Sequence, residues 1–458
     1  MPVAHLLYRR TFFGRSLLRG LFTVPFVLPV IVVAIGFSAV RRALGDGVDS
    51  ILWIIAAHVF FNIAISIRTI GAVWSRLDDA PLEAARLDGA GRLRVFWSVQ
   101  LPLLRSGMAA SATLIFLYCL ASFGTVLILG GGLVHSIETE IYFSATQYLD
   151  LGRTGSLALV QLMVGLAAFA VSMRIARGQV EFANTERISR PRVAARDWFS
   201  ILITLLALAG LLVPIISVLA QSFVGGFGNY ANLAGFGARD LLNISLLTAA
   251  ENSIRNLVVT LIISIGFGCL IARLLWRRGN GWLEAIFTAP LAVSSVVLGL
   301  GYLIGFAQPP FALRDSWLAV PMAQSLVLLP LVIRIVHSAL QAADGELTEA
   351  AETDGANAWQ SWWRIEVPAI RQSLATAVVF ASVGAIGEFG AASLLVFGDQ
   401  ETLPTVLYRL MSRPGTQNFG MAMAASSLLI VVTLLAVLVA GFTRETEPKL
   451  RPRQSERA

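Results

Sequence analysis

Only 14% of the 458 residues are charged and 56% are hydrophobic, so the groups that could do chemistry are few. Two carboxylate-bearing stretches stand out because they repeat. Glu83-Ala84-Ala85-Arg86-Leu87-Asp88-Gly89-Ala90 is followed 266 residues later by Glu349-Ala350-Ala351-Glu352-Thr353-Asp354-Gly355-Ala356. Each is a polar island between long apolar runs, and thirteen residues after each glycine stands a proline, Pro102 and Pro368. Asp78, Asp79 and Pro81 suit a helix start, with acidic caps and proline in the first turn. Asp344 and Thr348 suit the same role in the second copy. Gly89 and Gly355 then permit a sharp change of direction, and the prolines mark the start of the next apolar segment. The pattern predicts two short polar helices lying along a membrane surface, each held to apolar segments on both sides.

Other chemistry is scarce. A P-loop needs Gly-x-x-x-x-Gly-Lys-Ser/Thr, because a lysine must reach the nucleotide phosphates. The one lysine is Lys449, followed by Leu450, so the chain carries no ATPase site of that kind. No catalytic residue is assigned, and the chain reads as a non-enzyme. His5, His58, His135 and His337 are scattered without ligand spacing, so neither a metal nor a cofactor is expected. Gly130-Gly131-Gly132 reads as a flexible turn. Cys119 and Cys269 sit inside apolar runs and read as small packed hydrophobes.

Charges inside apolar runs are the remaining candidates. Glu388, in Gly387-Glu388-Phe389-Gly390, is expensive in a bilayer and faces either a cavity or a partner. Lining a translocation pathway, a structural pair and a protonated packed carboxyl all fit it, and its counterpart at the repeat offset is Ser122. His58 and Asn62 are further pathway candidates, with a satisfied interior hydrogen bond as the alternative for each. Arg68 and Arg334 recur near span ends, where arginine snorkels toward headgroups.

These residues must be held by membrane-spanning helices. Mean hydropathy is +0.73, and soluble domains carry about 25% charged residues. The apolar runs are continuous rather than alternating, which predicts α-helices and excludes barrel strands. The fold class is all-α and polytopic, with about ten transmembrane helices. Spans are expected at 21–40, 51–70, 103–130, 155–174, 199–222, 254–276, 283–306, 317–340, 369–397 and 418–442. The polar loops occupy 71–102 and 341–368. Most of the 35 Lys and Arg fall on the side of these loops, which places the loops and the C-terminus in the cytoplasm and explains the net charge of +7 without nucleic acid. No cleavable signal peptide is visible in the first twenty residues.

The repeat extends beyond the loops. Ala57, Ile67, Arg68 and Phe123-Gly124 match Ala323, Ile333, Arg334 and Phe389-Gly390 at the same offset. Phe22-Thr23-Val24-Pro25 matches Phe287-Thr288-Ala289-Pro290 at one residue less. Six spans separate the loops, so the repeats are parallel. The halves are 1–174 with four spans and 198–443 with six, joined by a basic connector at 175–197 and followed by a tail at 444–458. Val3-Ala4-His5-Leu6-Leu7-Tyr8-Arg9-Arg10 lines up with Ile271-Ala272-Arg273-Leu274-Leu275-Trp276-Arg277-Arg278, the end of a span. The first stretch therefore reads as the stump of one, and the expectation is a chain that begins inside its second span.

The paired Glu-Ala-Ala stretches, each with its glycine and proline, resemble the EAA loops of ATP-binding-cassette (ABC) importer permeases of the binding-protein-dependent kind. In that family the position of Glu83 and Glu349 contacts the ATPase, and Ala84, Ala85, Asp88, Gly89 and Pro102, with Ala350, Ala351, Asp354, Gly355 and Pro368, complete the coupling element. Leu7-Tyr8-Arg9-Arg10, Ala57-His58-Val59-Phe60-Phe61-Asn62, Ala121-Ser122-Phe123-Gly124-Thr125-Val126-Leu127 and Ile137-Glu138-Thr139-Glu140-Ile141-Tyr142 are similar to the fused thiamine importer permeases. The resemblance implies a multi-pass protein of the bacterial inner membrane. It also implies a separate, homodimeric ABC ATPase and a periplasmic substrate-binding protein that delivers thiamine or its phosphates for alternating access. Ferric-iron permeases share the fused architecture and a Glu-Phe-Gly stretch, so iron is the alternative substrate. An ion-coupled secondary transporter working through Glu388 is the alternative of another class.

Overall fold

The computed structural model describes residues 1–45, 47–177, 191–279, 281–306, 316–343, 345–413 and 415–444. Asp344, the connector's Arg187 and Arg190, and the tail from Lys449 lie outside them. Among the described residues every regular element is a helix, and one isolated bridge joins Thr11 to Arg192. That is what continuous apolar runs require, because in hydrocarbon each backbone group must be satisfied within its own segment.

The chain opens with α1 (Pro2–Arg9), α2 (Arg15–Val27) and α3 (Val30–Leu44). Then come α4 (Ser50–Trp74), the short α5 (Ala80–Leu87), α6 (Leu93–Leu120), α7 (Phe123–Leu129), α8 (Ile137–Thr146) and α9 (Leu151–Arg177). α10 (Trp198–Ser222) leads into α11 (Leu246–Arg278), α12 (Gly281–Thr288) and α13 (Ser295–Gly305). The chain closes with α14 (Ala319–Ala342), α15 (Gly345–Thr353), α16 (Ala358–Gly387), α17 (Gly390–Leu395), α18 (Leu403–Met411) and α19 (Thr416–Arg444). Among the described residues eight helices are long and apolar enough to cross a membrane, and two bent pairs raise the number to as many as ten. The series α4 to α9 recurs, element for element, as α14 to α19. The sequence of α1 aligns with the end of α11, and α2 and α3 correspond to α12 and α13.

Four expected spans are interrupted. The span at 21–40 is α2 and α3 meeting at 97°, and that at 283–306 bends by 94° before Ser295. Pro29 forces Leu28 into extended backbone at the first bend. Ser294 caps the restarted helix by accepting from the Val296 N–H at 3.2 Å at the second. The spans at 103–130 and 369–397 break at Ala121-Ser122 and at Glu388-Phe389. Run length alone does not reveal such breaks, since the bracketing residues are as apolar as a span.

Small residues let the helices meet closely. A Cβ on Gly36 of α3 would lie 2.9 Å from the Pro214 carbonyl of α10, and one on Gly268 of α11 would lie 2.5 Å from Val332 of α14. The two repeats interlock reciprocally: α3 packs on α19, while α13 packs on α9.

A buried ion pair joins the N-terminal segment to the start of α10. Arg10 donates to both Asp197 oxygens, at 2.8 and 3.0 Å, and Asp197 also accepts the Ala194 N–H at 3.0 Å. Burial pushes the Asp197 carboxyl up, but Arg10 and the Ala194 N–H outweigh it and hold the group below its usual range. A depressed carboxyl stabilises the fold fully above its unfolded value, about 4, and loses that contribution as pH falls through the folded value. Asp197→Asn should therefore cost about 1–3 kcal/mol near pH 7 and little at pH 3, as read by thermal unfolding at the two pH values.

Candidate functional site

The two polar loops fold alike. α5 and α15 each bury one residue, Leu82 and Thr348, and turn Glu83, Ala84, Asp88 and Glu349, Ala350, Asp354 outward. Ala85 and Ala351 are half-buried. Both helices end in the same reverse turn: Ala90 N–H donates to the Ala85 carbonyl at 3.0 Å, and Ala356 N–H to the Ala351 carbonyl at 2.9 Å. This closure needs a left-handed residue just past the helix, and Gly89 and Gly355 supply it at φ 82° and 89°. Nothing lies within 4 Å of a Cβ at either site, so backbone conformation alone selects glycine. Gly89→Ala and Gly355→Ala should each cost about 1–2 kcal/mol, seen as lower unfolding temperatures in detergent.

Two expectations about these loops are corrected. Asp79 does not cap α5, because its carboxylate pairs with Arg9, while Asp78 accepts the Ala80 N–H at 3.1 Å. Thr348 lies inside α15, buried, rather than at its start. Pro102 and Pro368 each stand second in the α-helical segments Leu101–Leu120 and Val367–Gly387, at the entry to the long apolar parts of α6 and α16. Proline lacks the N–H that the preceding turn needs, and both helices relax into a π turn there, Phe96–Gln100 and Trp362–Glu366.

Equivalent arginines tie each loop to a helix from earlier in its repeat, α1 or α11. Arg9 of α1 holds Asp79 and donates to the Leu77 carbonyl at 2.8 Å. Its counterpart Arg277 of α11 pairs with Glu352 at 2.6 Å and Glu366 at 3.0 Å. Arg273 grips buried Glu366 with two bonds of 2.7 Å and the Ala358 carbonyl with a third. The first loop has His5 and Gln100 at these positions, so the second is anchored more firmly. Around both loops large apolar side chains stand exposed: Leu87, Leu93 and Trp97 in one, Leu347, Trp359 and Trp363 in the other.

Between the repeats lies a cavity of about 870 Å³. It runs from Arg68 and Gln372, near the loop ends of α4 and α16, past Tyr118, Thr376 and Phe380 to Glu388, Phe123 and Phe389. Glu388 lines its far end and caps α17, accepting Ala391 N–H at 2.8 Å and Ala392 N–H at 3.1 Å. Arg68, expected to snorkel, stands on the cavity wall. Asn62 is elsewhere: its amide donates to the His58 carbonyl at 2.8 Å and the Cys119 sulfur at 3.4 Å, in the seam between α4 and α6. Neither His58 nor Asn62 lines this cavity.

Beyond Phe389, at the end of α16 away from the loops, a second pocket of about 400 Å³ is lined by Tyr142, Gln147, Glu401, Tyr408, Arg409 and Arg413 among others. Glu401 pairs there with Arg409.

Two contributors escaped the sequence reading. Glu138 of α8, 1% exposed, is buried near the Phe123 N–H at the start of α7 and the Ser294 hydroxyl. No local pattern marks it. Tyr142 and Tyr408 carry the same 266-residue offset as the loops, a signal that was present in the repeat.

The chain is similar to known proteins. The profile of the family described as binding-protein-dependent transport system inner membrane component matches residues 1–182 and 264–451. The thiamine transport system permease protein ThiP of Escherichia coli is 27% identical over 95% of this chain and 84% of its own length. The ferric transport system permease protein FbpB of Actinobacillus pleuropneumoniae is 26% identical over 79% of this chain and 54% of its own. A chain of the bacterial alginate ABC transporter, solved with an alginate pentasaccharide-bound periplasmic protein, aligns with 55% of this chain and 95% of its own at TM-score 0.42 and 20% identity.

Proposed function

Because the chain belongs to the family of binding-protein-dependent transport system inner membrane components, we propose that it is the membrane-spanning subunit of an ATP-driven thiamine importer. The observation that carries the ATP-driven reading is the pair of outward-facing helices, α5 and α15, identical in turn chemistry and exposed on one side by span count. Each presents carboxylates with an apolar rim, Leu87, Leu93 and Trp97 or Leu347, Trp359 and Trp363, which suits docking of a separate protein. A homodimeric ATPase would meet both at once, since the two loops are near copies. On this reading Glu83 and Glu349 are the charged contacts, and Gly89 and Gly355 hold the short helices at their angle. The loops face the cytoplasm of an inner-membrane protein whose halves are 1–174 and 198–443.

Thiamine is favoured over iron by coverage. The thiamine permease relative aligns over 95% of the chain and the ferric relative over 79%. A periplasmic binding protein would deliver the solute to the side away from the loops. ATP closure of the ATPase would then draw α5 and α15 together and swing α6 and α16, with Arg9, Arg273 and Arg277 carrying the movement into α1 and α11. The cavity beside Glu388, closed beyond Phe123 and Phe389, fits a resting state open toward the ATPase side. The chain itself hydrolyses nothing.

The test is uptake of labelled thiamine by cells lacking their own importer and expressing this chain with its binding protein and ATPase. Uptake unaffected by excess ferric iron is expected. Uptake of iron and not thiamine would transfer the assignment to the ferric reading.

A further inference from the structure

We propose that Phe123 and Phe389, backed by Tyr142 and Tyr408, are the barrier that a transported solute must part, and that these four rings select which solutes pass. The proposal rests on the reading of the chain as an importer subunit.

Among the described residues Phe389 alone borders both the large cavity and the second pocket. Its ring stacks on Phe123, with centroids 5.3 Å apart and planes 19° from parallel. Tyr142 lies 5.3 Å from Phe123, Tyr408 lies 5.5 Å from Phe389, and the two tyrosines are 6.4 Å apart. The pairs Phe123/Phe389 and Tyr142/Tyr408 are each 266 residues apart, so the plug is built from equivalent positions of both repeats. It therefore straddles the seam that must open if the halves rock.

The local backbone suits a movable closure. Phe123 opens α7 and Phe389 precedes α17, each directly after a helix break. Rotation at 121–122 or 388–389 would displace a ring without breaking helical hydrogen bonds. Gly124 permits the close approach, since a Cβ there would lie 3.3 Å from the Phe389 ring. Glu388 caps α17 and fixes its resting position, and Glu138 is buried near the start of α7. The barrier presents π faces, which exclude hydrated ions and attract flat aromatic or organic cationic solutes. A thiazolium-bearing aromatic solute belongs to that class.

The test uses proteoliposomes holding the chain with its ATPase and no ATP. The readout is leakage of a small non-substrate ion, so it does not depend on thiamine being the cargo. Phe123→Ala/Phe389→Ala should raise the leak at least about tenfold, and Phe123→Leu/Phe389→Leu should leave it near the parent level. An unchanged leak in an alanine variant that keeps the parent's unfolding temperature would overturn the proposal. Should that variant not fold, Phe123→Cys/Phe389→Cys in a Cys119→Ser/Cys269→Ser background replaces it. A short bifunctional thiol reagent should bridge the pair in the resting complex and at least fivefold less when ATP is trapped on the ATPase. Equal bridging in both states would refute a gate. Absence of thiamine uptake by the parent chain, with either gate result intact, would count against the cargo alone.

Discussion

Replacing Glu83 and Glu349 together with lysine should abolish uptake while leaving the chain folded. Both side chains stand exposed on short helices, and surface substitutions of this kind cost little stability, within about 0.5 kcal/mol. At a docked interface each change turns an attraction into a repulsion. A unit-charge contact near 4 Å contributes about 4 kcal/mol at the effective dielectric of a protein surface. Losing it on both loops should weaken ATPase association at least about a hundredfold. Co-purification of the ATPase and uptake should fall together, with the unfolding temperature unchanged. Each single variant should be intermediate, and Glu83→Lys the more damaging, because Arg273, Arg277, Glu352 and Glu366 brace only the second loop. Full uptake by the double variant would mean that the loops do not couple to an ATPase.

Glu388→Ala should cost about 2–4 kcal/mol and most of the transport. Its carboxylate takes the N–H groups of Ala391 and Ala392 at 2.8 and 3.1 Å. Removing it strands two buried donors at the start of α17, each worth about 1–3 kcal/mol. The helix that it caps carries the Phe389 ring against Phe123, so its loosening should also disturb closure. Glu388→Gln retains one acceptor oxygen and should cost roughly half as much. Thermal unfolding in detergent ranks the three proteins. If Gln proved as damaging as Ala, the charge rather than the cap would be what matters, as in a carrier coupled to an ion gradient.

Much of this was legible in the sequence, for physical reasons that differ by feature. The spans announced themselves because a bilayer demands long apolar runs. The short polar helices α5 and α15 did so because Gly89 and Gly355 meet a backbone requirement that no other residue meets cheaply, and they recur at one offset. The bends at Leu28-Pro29 and Ser294 were hidden, since a break inside hydrocarbon is made with apolar residues and one capping hydroxyl. The π turns at Phe96–Gln100 and Trp362–Glu366, directly before the turns that carry Pro102 and Pro368, were hidden as well. Glu388 was noticed as a charge in an apolar run, but Glu138 was not, because the groups it is buried near are remote in sequence, Phe123 fifteen residues back and Ser294 in the other repeat. His58 and Asn62 were singled out by the same reasoning; the Asn62 amide N–H donates to the His58 carbonyl one turn away, and neither residue borders the large cavity.

The claim that unites the loops, the cavity and the gate is that ATP hydrolysis by a partner drives solute through this chain. Accumulation of labelled thiamine in proteoliposomes tests it most directly, with the chain, its ATPase and its loaded binding protein present. Thiamine should rise above its equilibrium level with the active ATPase and stay at equilibrium with a hydrolysis-dead one. Accumulation that persists with the dead ATPase and follows an imposed proton or sodium gradient would contradict the account.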